Sequence, residues 1–191
     1  MNYFPVAINN LEIIQRKVLE LVPDNRKYNS SLFYIDSHYS KFLEIQELKE
    51  ELIKLNMLKY VHSFAIYNLL PTTIQGSDIH IDYGQGTYSF NIPIANCENT
   101  VVNFYESSSD PVLKQTKDGN YYYHVDKNYC KIVDTLEMKL PNIINVKKIH
   151  NVSNYNPTTR ITLLIRLTPE FTHEECLIRS QLNSQDSSSF S

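Results

Sequence analysis

Tryptophan is absent from this chain, glycine occurs four times and cysteine three times in 191 residues. So little glycine rules out collagen-like and glycine-rich low-complexity sequence. Cys97, Cys130 and Cys176 are odd in number and share no Cys-x-x-Cys spacing. They make neither a disulfide framework nor a zinc knuckle, and a reducing compartment is expected. Charge of one sign is also lacking: 18 basic and 21 acidic residues leave a formal charge of −3. That balance gives no general attraction for nucleic acid or an anionic membrane. No apolar run approaches the roughly 20 residues needed to span a bilayer. The opening MNYFPVAINNLEIIQRK has no basic region followed by an apolar stretch, so no secretory signal is read there. The sequons at Asn29 and Asn151 then carry no meaning, since glycosylation needs a secretory route. A soluble cytoplasmic protein is expected, with no membrane partner.

What is present suits a strand-rich core. There are 14 tyrosines, and hydrophobic and charged residues make up 42% and 20% of the chain, an ordinary globular balance. The length fits one domain, 1–191. Its first part, 1–58, reads as helical support. Asn10 stands where a helix cap is wanted, ahead of Leu11, Ile14, Val18 and Leu21 on one face, with Pro23 as the stop. A second helix is expected from about Ser40, with Phe42, Ile45, Leu48, Leu52 and Leu55 at helical spacing.

From Tyr60 the period changes to that of strands. YVHSFAIYNLL, IHIDY, YSFNIPIA, TVVNFYE, NIINVKKIH and ITLLIRL are short and rich in β-branched or aromatic residues. Pro71, the Gly84–Gly86 loop, NCEN and NPTT punctuate them. Six such strands without intervening helices predict a mainly β fold, a sandwich or jelly roll, over 59–168. An insert at 107–140 is expected to add a hairpin over one mouth of the barrel. Residues 169–191 read as a polar tail, mobile at SQDSSSFS.

Two of the six histidines stand out. In a strand, side chains at i and i+2 share a face, so His80 and Asp82 project together, away from Ile79 and Ile81. An imidazole and a carboxylate on one face can give a divalent cation two ligands, and His150, at the end of NIINVKKIH, can give a third. Two histidines and one carboxylate on one face of an octahedron leave three positions open, the arrangement of non-haem Fe(II) oxygenases. His-x-Asp alone is equally a hydrogen-bonded pair at a strand end. Arg160 and Thr162 again share a face, one strand later. A guanidinium fork beside a hydroxyl suits the distal carboxylate of a small dicarboxylate, and a salt bridge at a strand start is the plainer alternative.

Together, His80-x-Asp82, then His150, then Arg160-x-Thr162 resembles the signature of the Fe(II)/2-oxoglutarate-dependent dioxygenases. HNVSNYNPTTRITLLIR is similar to the H-x-x-x-N-x-x-x-x-x-R stretch of the aspartyl/asparaginyl β-hydroxylase-like branch, with Asn154 in the Asn position. SFNIPIANCENTVVNFYE is similar to the central strands of that branch and of related proline hydroxylases. The resemblance implies a double-stranded β-helix (a cupin-like jelly roll) with bracing helices. It implies His80, Asp82 and His150 as catalytic iron ligands, and Arg160, assisted by Thr162, as the 2-oxoglutarate anchor. The activity implied is hydroxylation by O2, with release of succinate and CO2. Some members of that branch lack the carboxylate ligand, and halogenating relatives need its place vacant; Asp82 therefore favours hydroxylation.

Tyr67 and Asn91 lie on strands where they could touch 2-oxoglutarate or substrate. Tyr105 has the same standing, and buried residues satisfying a neighbour would look alike. His38, His62 and His124 read as structural or surface residues, and His173 as part of a solvated cluster. The YGQGTY loop makes a poor phosphate cradle, since no helix start or Lys follows it. The branch resemblance favours an amino-acid side chain, free or peptidyl, as substrate. A nucleobase is the alternative, disfavoured by the lack of a basic stripe with interleaved aromatics. A cupin-like barrel that binds a metal or ligand without oxidising anything is the competing class. Oligomeric state cannot be read from these residues.

Overall fold

Strand parity sets which side of each sheet meets the core, and the same parity places the candidate site. The computed structural model describes residues 1–22, 32–34, 39–72, 77–84, 86–116 and 119–186. Its strands are β1 (Tyr3–Pro5), β2 (Leu32–Tyr34), β3 (Val61–Leu69), β4 (His80–Asp82), β5 (Tyr88–Ala95) and β6 (Thr100–Ser107). They continue as β7 (Val112–Gln115), β8 (Tyr121–His124), β9 (Cys130–Glu137), β10 (Asn142–Asn145), β11 (His150–Asn154) and β12 (Arg160–Leu167). The helices are α1 (Leu11–Leu21), α2 (Tyr39–Glu44), α3 (Gln46–Lys54) and α4 (His173–Asp186).

The strands form two antiparallel sheets, ordered β1-β10-β5-β12-β3-β2 and β7-β8-β4-β11-β6-β9. Setting aside β1, β2, β7 and β8, the remaining eight strands alternate between the two sheets through β3 to β6 and again through β9 to β12. That winding is a double-stranded β-helix, the jelly roll expected from the sequence. Of the segment read as an insert, 107–140, only the β7–β8 hairpin lies outside this winding, and it pairs onto the free edge of β4. β9 is a member of the eight, paired along β6.

Alternation along β12 shows how the layers divide. Leu163, Ile165 and Leu167 face a core shared with Phe64, Ile66, Phe90, Ile92 and the helices, which contribute Ile14, Val18, Phe42, Leu48 and Leu52. Each such side chain, fully removed from water, contributes about 1.5–3 kcal/mol before ordering costs. A smaller cluster lies between the sheets: Leu69, Val102, Phe104, Leu136, Met138, Ile144 and Val152. Polar residues share that inner space, which the site occupies. Pro93 sits within the inner strand β5 although it has no N–H for the ladder. The β5–β12 register shifts between Ile161 and Thr162, so that Ile94 is the extra residue of a bulge there. Gly86 is required by close approach, since a Cβ there would lie 2.2 Å from the carbonyl oxygen of Leu167.

Several local expectations need correcting. Asn10 occupies the cap position of α1, but with φ 55° and no side-chain capping bond. The helix expected from Ser40 is two, broken at Ile45, whose extended backbone (φ −71°, ψ 99°) starts α3. NIINVKKIH is not one strand. β10 ends at Asn145, the chain crosses to the other sheet, and His150 begins β11 rather than ending a strand. The tail holds α4, anchored by buried Phe171, Cys176 and Arg179. Arg179 donates to the carbonyls of Leu55 and Asn56 and pairs with Glu175. His173 is exposed but packs its ring on Phe4, at 5.2 Å between centroids. The stop at Pro23, the reading of His38 and the final residues of SQDSSSFS fall outside the described residues. Among the described residues, no helix is long and apolar enough to cross a membrane.

Candidate metal centre

Antiparallel pairing puts His150 of β11 directly opposite His80 of β4. Two residues on, Asp82 shares the face of His80, so three chain segments are not needed to gather three ligands. One donor atom from each of His80, Asp82 and His150 lies within 4.8 Å of the others. His80 Nε2 is 3.2 Å and His150 Nε2 4.0 Å from Asp82 Oδ1, and the imidazole centroids are 4.5 Å apart.

The surroundings orient each ligand. His80 Nδ1 lies 2.7 Å from the carbonyl oxygen of Asp78, and His150 Nδ1 2.9 Å from that of Lys148. A carbonyl only accepts, so both Nδ1 atoms carry a hydrogen, and each Nε2 faces the centre. Asp82 is fixed at both ends. Arg166 Nη1 donates to its Oδ2 at 2.5 Å, leaving Oδ1 to face the imidazoles, and Lys147 Nζ donates to its backbone carbonyl at 2.9 Å. Burial pushes the Asp82 carboxyl upward, but the Arg166 charge and the two histidines outweigh it and hold the carboxyl well below the usual range. His80 is raised on balance: burial disfavours its charge, but the hydrogen bond and charge of Asp82 prevail. Burial and the neighbouring His80 press His150 down to about 4. The donor set therefore has a stably ionised carboxylate, one imidazole held neutral and one poised to exchange a proton for a cation. Its composition and outer partners fit a divalent transition metal.

A cavity of about 350 Å³ opens on this triad. Arg160, at the start of β12, lines it too and is 1% exposed. Among the described residues, its Nε and Nη1 have no hydrogen-bond partner. The guanidinium carbon lies 5.8 Å from the centroid of the Tyr67 ring. A buried cation with idle donors facing a cavity is costly unless an anion completes it. Among the described residues, no carboxylate pairs with Arg160 in the salt bridge considered for it.

Tyr67 and Asn91 also line the cavity. Burial raises the Tyr67 phenol to about 12, against the opposing charge of Arg160, so it stays a neutral donor. Asn91 accepts at Oδ1 from the Ser89 hydroxyl at 2.7 Å, which leaves its amide hydrogens for a ligand. Thr162 is fully buried beside Cys97, with 3.9 Å between oxygen and sulfur, and is not among the residues lining the cavity. Tyr105 donates to Asn151 and does not line the cavity. Asn154 bonds the carbonyls of Leu69 and Thr158, tying the β11–β12 turn to the end of β3 and so setting where Arg160 begins its strand.

Sequence reasoning passed over Arg166, Asp78 and Tyr122 here, and read His124 as a structural or surface residue. Arg166 shares the parity of Arg160 along β12, a signal that was available. Asp78, Tyr122 and His124 were not separable from background. Tyr122 donates to Asp78 Oδ2 at 3.0 Å, and His124 Nδ1 lies 3.5 Å from the same oxygen, so His124 does have a carboxylate neighbour. No protein family and no curated protein matches the chain.

Solved structures give distant likenesses. AviO1 from Streptomyces viridochromogenes Tue57 is 12% identical, aligned over 87% of this chain and 89% of that one, with a TM-score of 0.49. EvdMO1 is 12% identical over 87% of this chain and 47% of its own, with a TM-score of 0.40. Acireductone dioxygenase from Bacillus anthracis with cadmium ion in its active centre is 11% identical over 89% and 95%, with a TM-score of 0.31. Whatever this chain does is carried by its own residues.

Proposed function

We propose that this protein is an Fe(II)- and 2-oxoglutarate-dependent dioxygenase that hydroxylates a C–H bond of an amino-acid side chain, free or within a peptide. One observation carries the reading: the buried Arg160, with two idle donors, stands in the wall of the same cavity that exposes His80, Asp82 and His150. A metal barrel without a dicarboxylate cosubstrate has no use for that cation. His80, Asp82 and His150 would hold the iron, since two imidazoles and one carboxylate suit the ferrous ion. Bound there, iron supplies the O2 chemistry that couples oxidative decarboxylation of 2-oxoglutarate to succinate and CO2 with hydroxylation of the substrate.

The chain's own residues position and shield. Arg160 takes the distal carboxylate as a charge-assisted fork, and the neutral Tyr67 and the Asn91 amide offer further donors around it. Arg166 keeps Asp82 ionised and single-handed, with one oxygen toward the metal. Val102, Ile144, Val152 and Leu164 form the dry part of the wall and limit water near the reacting atoms. The amino-acid substrate is supported by the likeness of the His150–Arg160 stretch to the β-hydroxylase branch. The acidic chain, without a basic footprint, argues against a nucleobase in nucleic acid.

The test is turnover of the cosubstrate. Under air, Fe(II)-loaded protein should convert 2-oxoglutarate to succinate slowly, faster with the right member of an amino-acid and peptide panel, and not at all as Asp82→Ala. Tight metal binding with no succinate under any condition would instead identify a non-oxidative barrel.

A further inference from the structure

The β7–β8 hairpin is extra to the eight-stranded winding, yet it reaches the metal centre. Its second strand pairs with β4 so that His124 lies opposite His80, and Tyr122 opposite Asp82. Both rings turn to the inner side: Tyr122 is edge-on to His80 at 6.0 Å and to His124 at 6.4 Å between centroids. The Tyr122 hydroxyl runs back along the strand to donate to Asp78 Oδ2 at 3.0 Å, and His124 Nδ1 stands 3.5 Å from that oxygen. Among the described side chains, Asp78 has these as its polar neighbours. Its own carbonyl, two residues before His80, accepts from His80 Nδ1 at 2.7 Å. Val125 N–H adds a backbone bond to the carbonyl of Ile79, at 2.9 Å, between the two.

We infer that Tyr122, acting through Asp78 with His124 alongside, is a positioning residue for His80, and that the hairpin is part of the metal centre. The carbonyl of Asp78 decides which ring nitrogen of His80 bears the hydrogen and where the ring points. That carbonyl sits before β4 begins, outside the sheet ladder, so the strand alone does not orient it. The Ser77 hydroxyl ties the preceding residue to Val152 of β11, and the hairpin holds the Asp78 carboxylate itself from across the sheet. His150 needs no such device, because its Nδ1 acceptor, Lys148, lies in the short crossover between β10 and β11 and donates its own N–H to Asn145. Outer partners of metal-bound histidines commonly govern affinity in this way. The inference rests on the reading of His80 as a metal ligand and not on the choice of 2-oxoglutarate.

Two readouts on whole protein test it, neither requiring turnover. Co(II) affinity by anaerobic titration should fall about tenfold in Tyr122→Phe, the low end for loss of an outer partner because one more group intervenes. Asp78→Asn keeps an acceptor for the Tyr122 hydroxyl and should retain most of the affinity. Asp78→Ala should match Tyr122→Phe, and the double variant should be no worse than either. Tyr123→Phe, exposed on the opposite parity, is the control. In metal-free protein, nitrogen-15 spectra should show His80 with Nδ1 protonated in the wild type and Asp78→Asn, and mixed tautomers in Tyr122→Phe. Unchanged Co(II) affinity and an unchanged His80 tautomer in folded Tyr122→Phe would overturn the inference. Wild-type protein without Co(II) affinity would overturn the metal reading, while the tautomer would still decide whether the hairpin orients His80.

Discussion

Arg160→Met should make the ligand-free protein more stable and at the same time abolish its response to 2-oxoglutarate. The reasoning is local. Arg160 is 1% exposed, and two of its nitrogens have no hydrogen-bond partner among the described residues. Leaving a buried polar group unsatisfied costs about 1–3 kcal/mol, more for a charged one. Against this stands the contact with the Tyr67 ring, worth about 0.5–2 kcal/mol. Methionine keeps much of the packing volume without the charge, and such replacements of buried ionic groups commonly stabilise by about 1–4 kcal/mol. A net gain of about 1–3 kcal/mol is expected, which for a chain of this length raises Tm on the order of 5 °C. Wild-type protein with Mn(II) should gain about 2.7 kcal/mol more from 2-oxoglutarate at a hundredfold excess over Kd. The variant should gain nothing from it. Anaerobic thermal unfolding of both proteins, with Mn(II) and with or without 2-oxoglutarate, gives all four values. A variant that unfolds well below the wild type without ligand would show that Arg160 is a structural cation satisfied in place. A variant still stabilised by 2-oxoglutarate would show that the anchor lies elsewhere.

Three other outcomes follow from the same structure. Arg166→Leu leaves the Asp82 carboxylate without its strongest cationic neighbour and should cost on the order of 2 kcal/mol in metal-free protein, discounted for the partial exposure of the pair; Zn(II) should therefore raise Tm more in the variant than in the wild type, and equal increments would contradict the role given to Arg166. Glu51 is buried with one carboxylate oxygen unpartnered among the described residues, and burial raises its pKa. A raised folded-state pKa favours the fold at low pH and weakens it as pH climbs through the carboxylate range, so Glu51→Gln should be more stable than wild type at pH 7 and lose that advantage near pH 4 in urea unfolding. Gly86→Ala drives a methyl into the Leu167 carbonyl and should lower Tm by several degrees, on the order of 1–3 kcal/mol, in a thermal melt.

The parts of the site legible in the sequence were those that strand period alone can place. His80 with Asp82 and Arg160 with Thr162 are pairs at i and i+2, and parity fixes their faces without knowledge of the partner strand. Arg166 was legible by the same rule and was missed because attention stopped at Thr162. Parity also has limits: it put Thr162 beside Arg160, but the hydroxyl sits against Cys97 outside the cavity wall. His150 was read as the end of one strand, whereas it begins the next, in the other sheet. The apolar run through NIINVKKIH conceals a crossover between sheets that hydrophobicity does not mark. Tyr122 and His124 belong to a hairpin whose register against β4 is set by pairing some 40 residues apart in sequence, and no local pattern carries that information. Around α4, buried Phe171 just before the helix and Cys176 within it are too few to make an apolar stripe, and the helix is held partly by Arg179 bonding to the carbonyls that follow α3.

The account stands or falls on whether the triad and Arg160 form one site for iron and 2-oxoglutarate. The most direct measurement is the visible absorption of the protein titrated with Fe(II) and then 2-oxoglutarate without oxygen. A charge-transfer band should appear only when both are present, vanish in His150→Ala, and be absent from Arg160→Ala at the 2-oxoglutarate concentration that saturates the wild type. Iron binding with no band at any 2-oxoglutarate concentration would contradict the account.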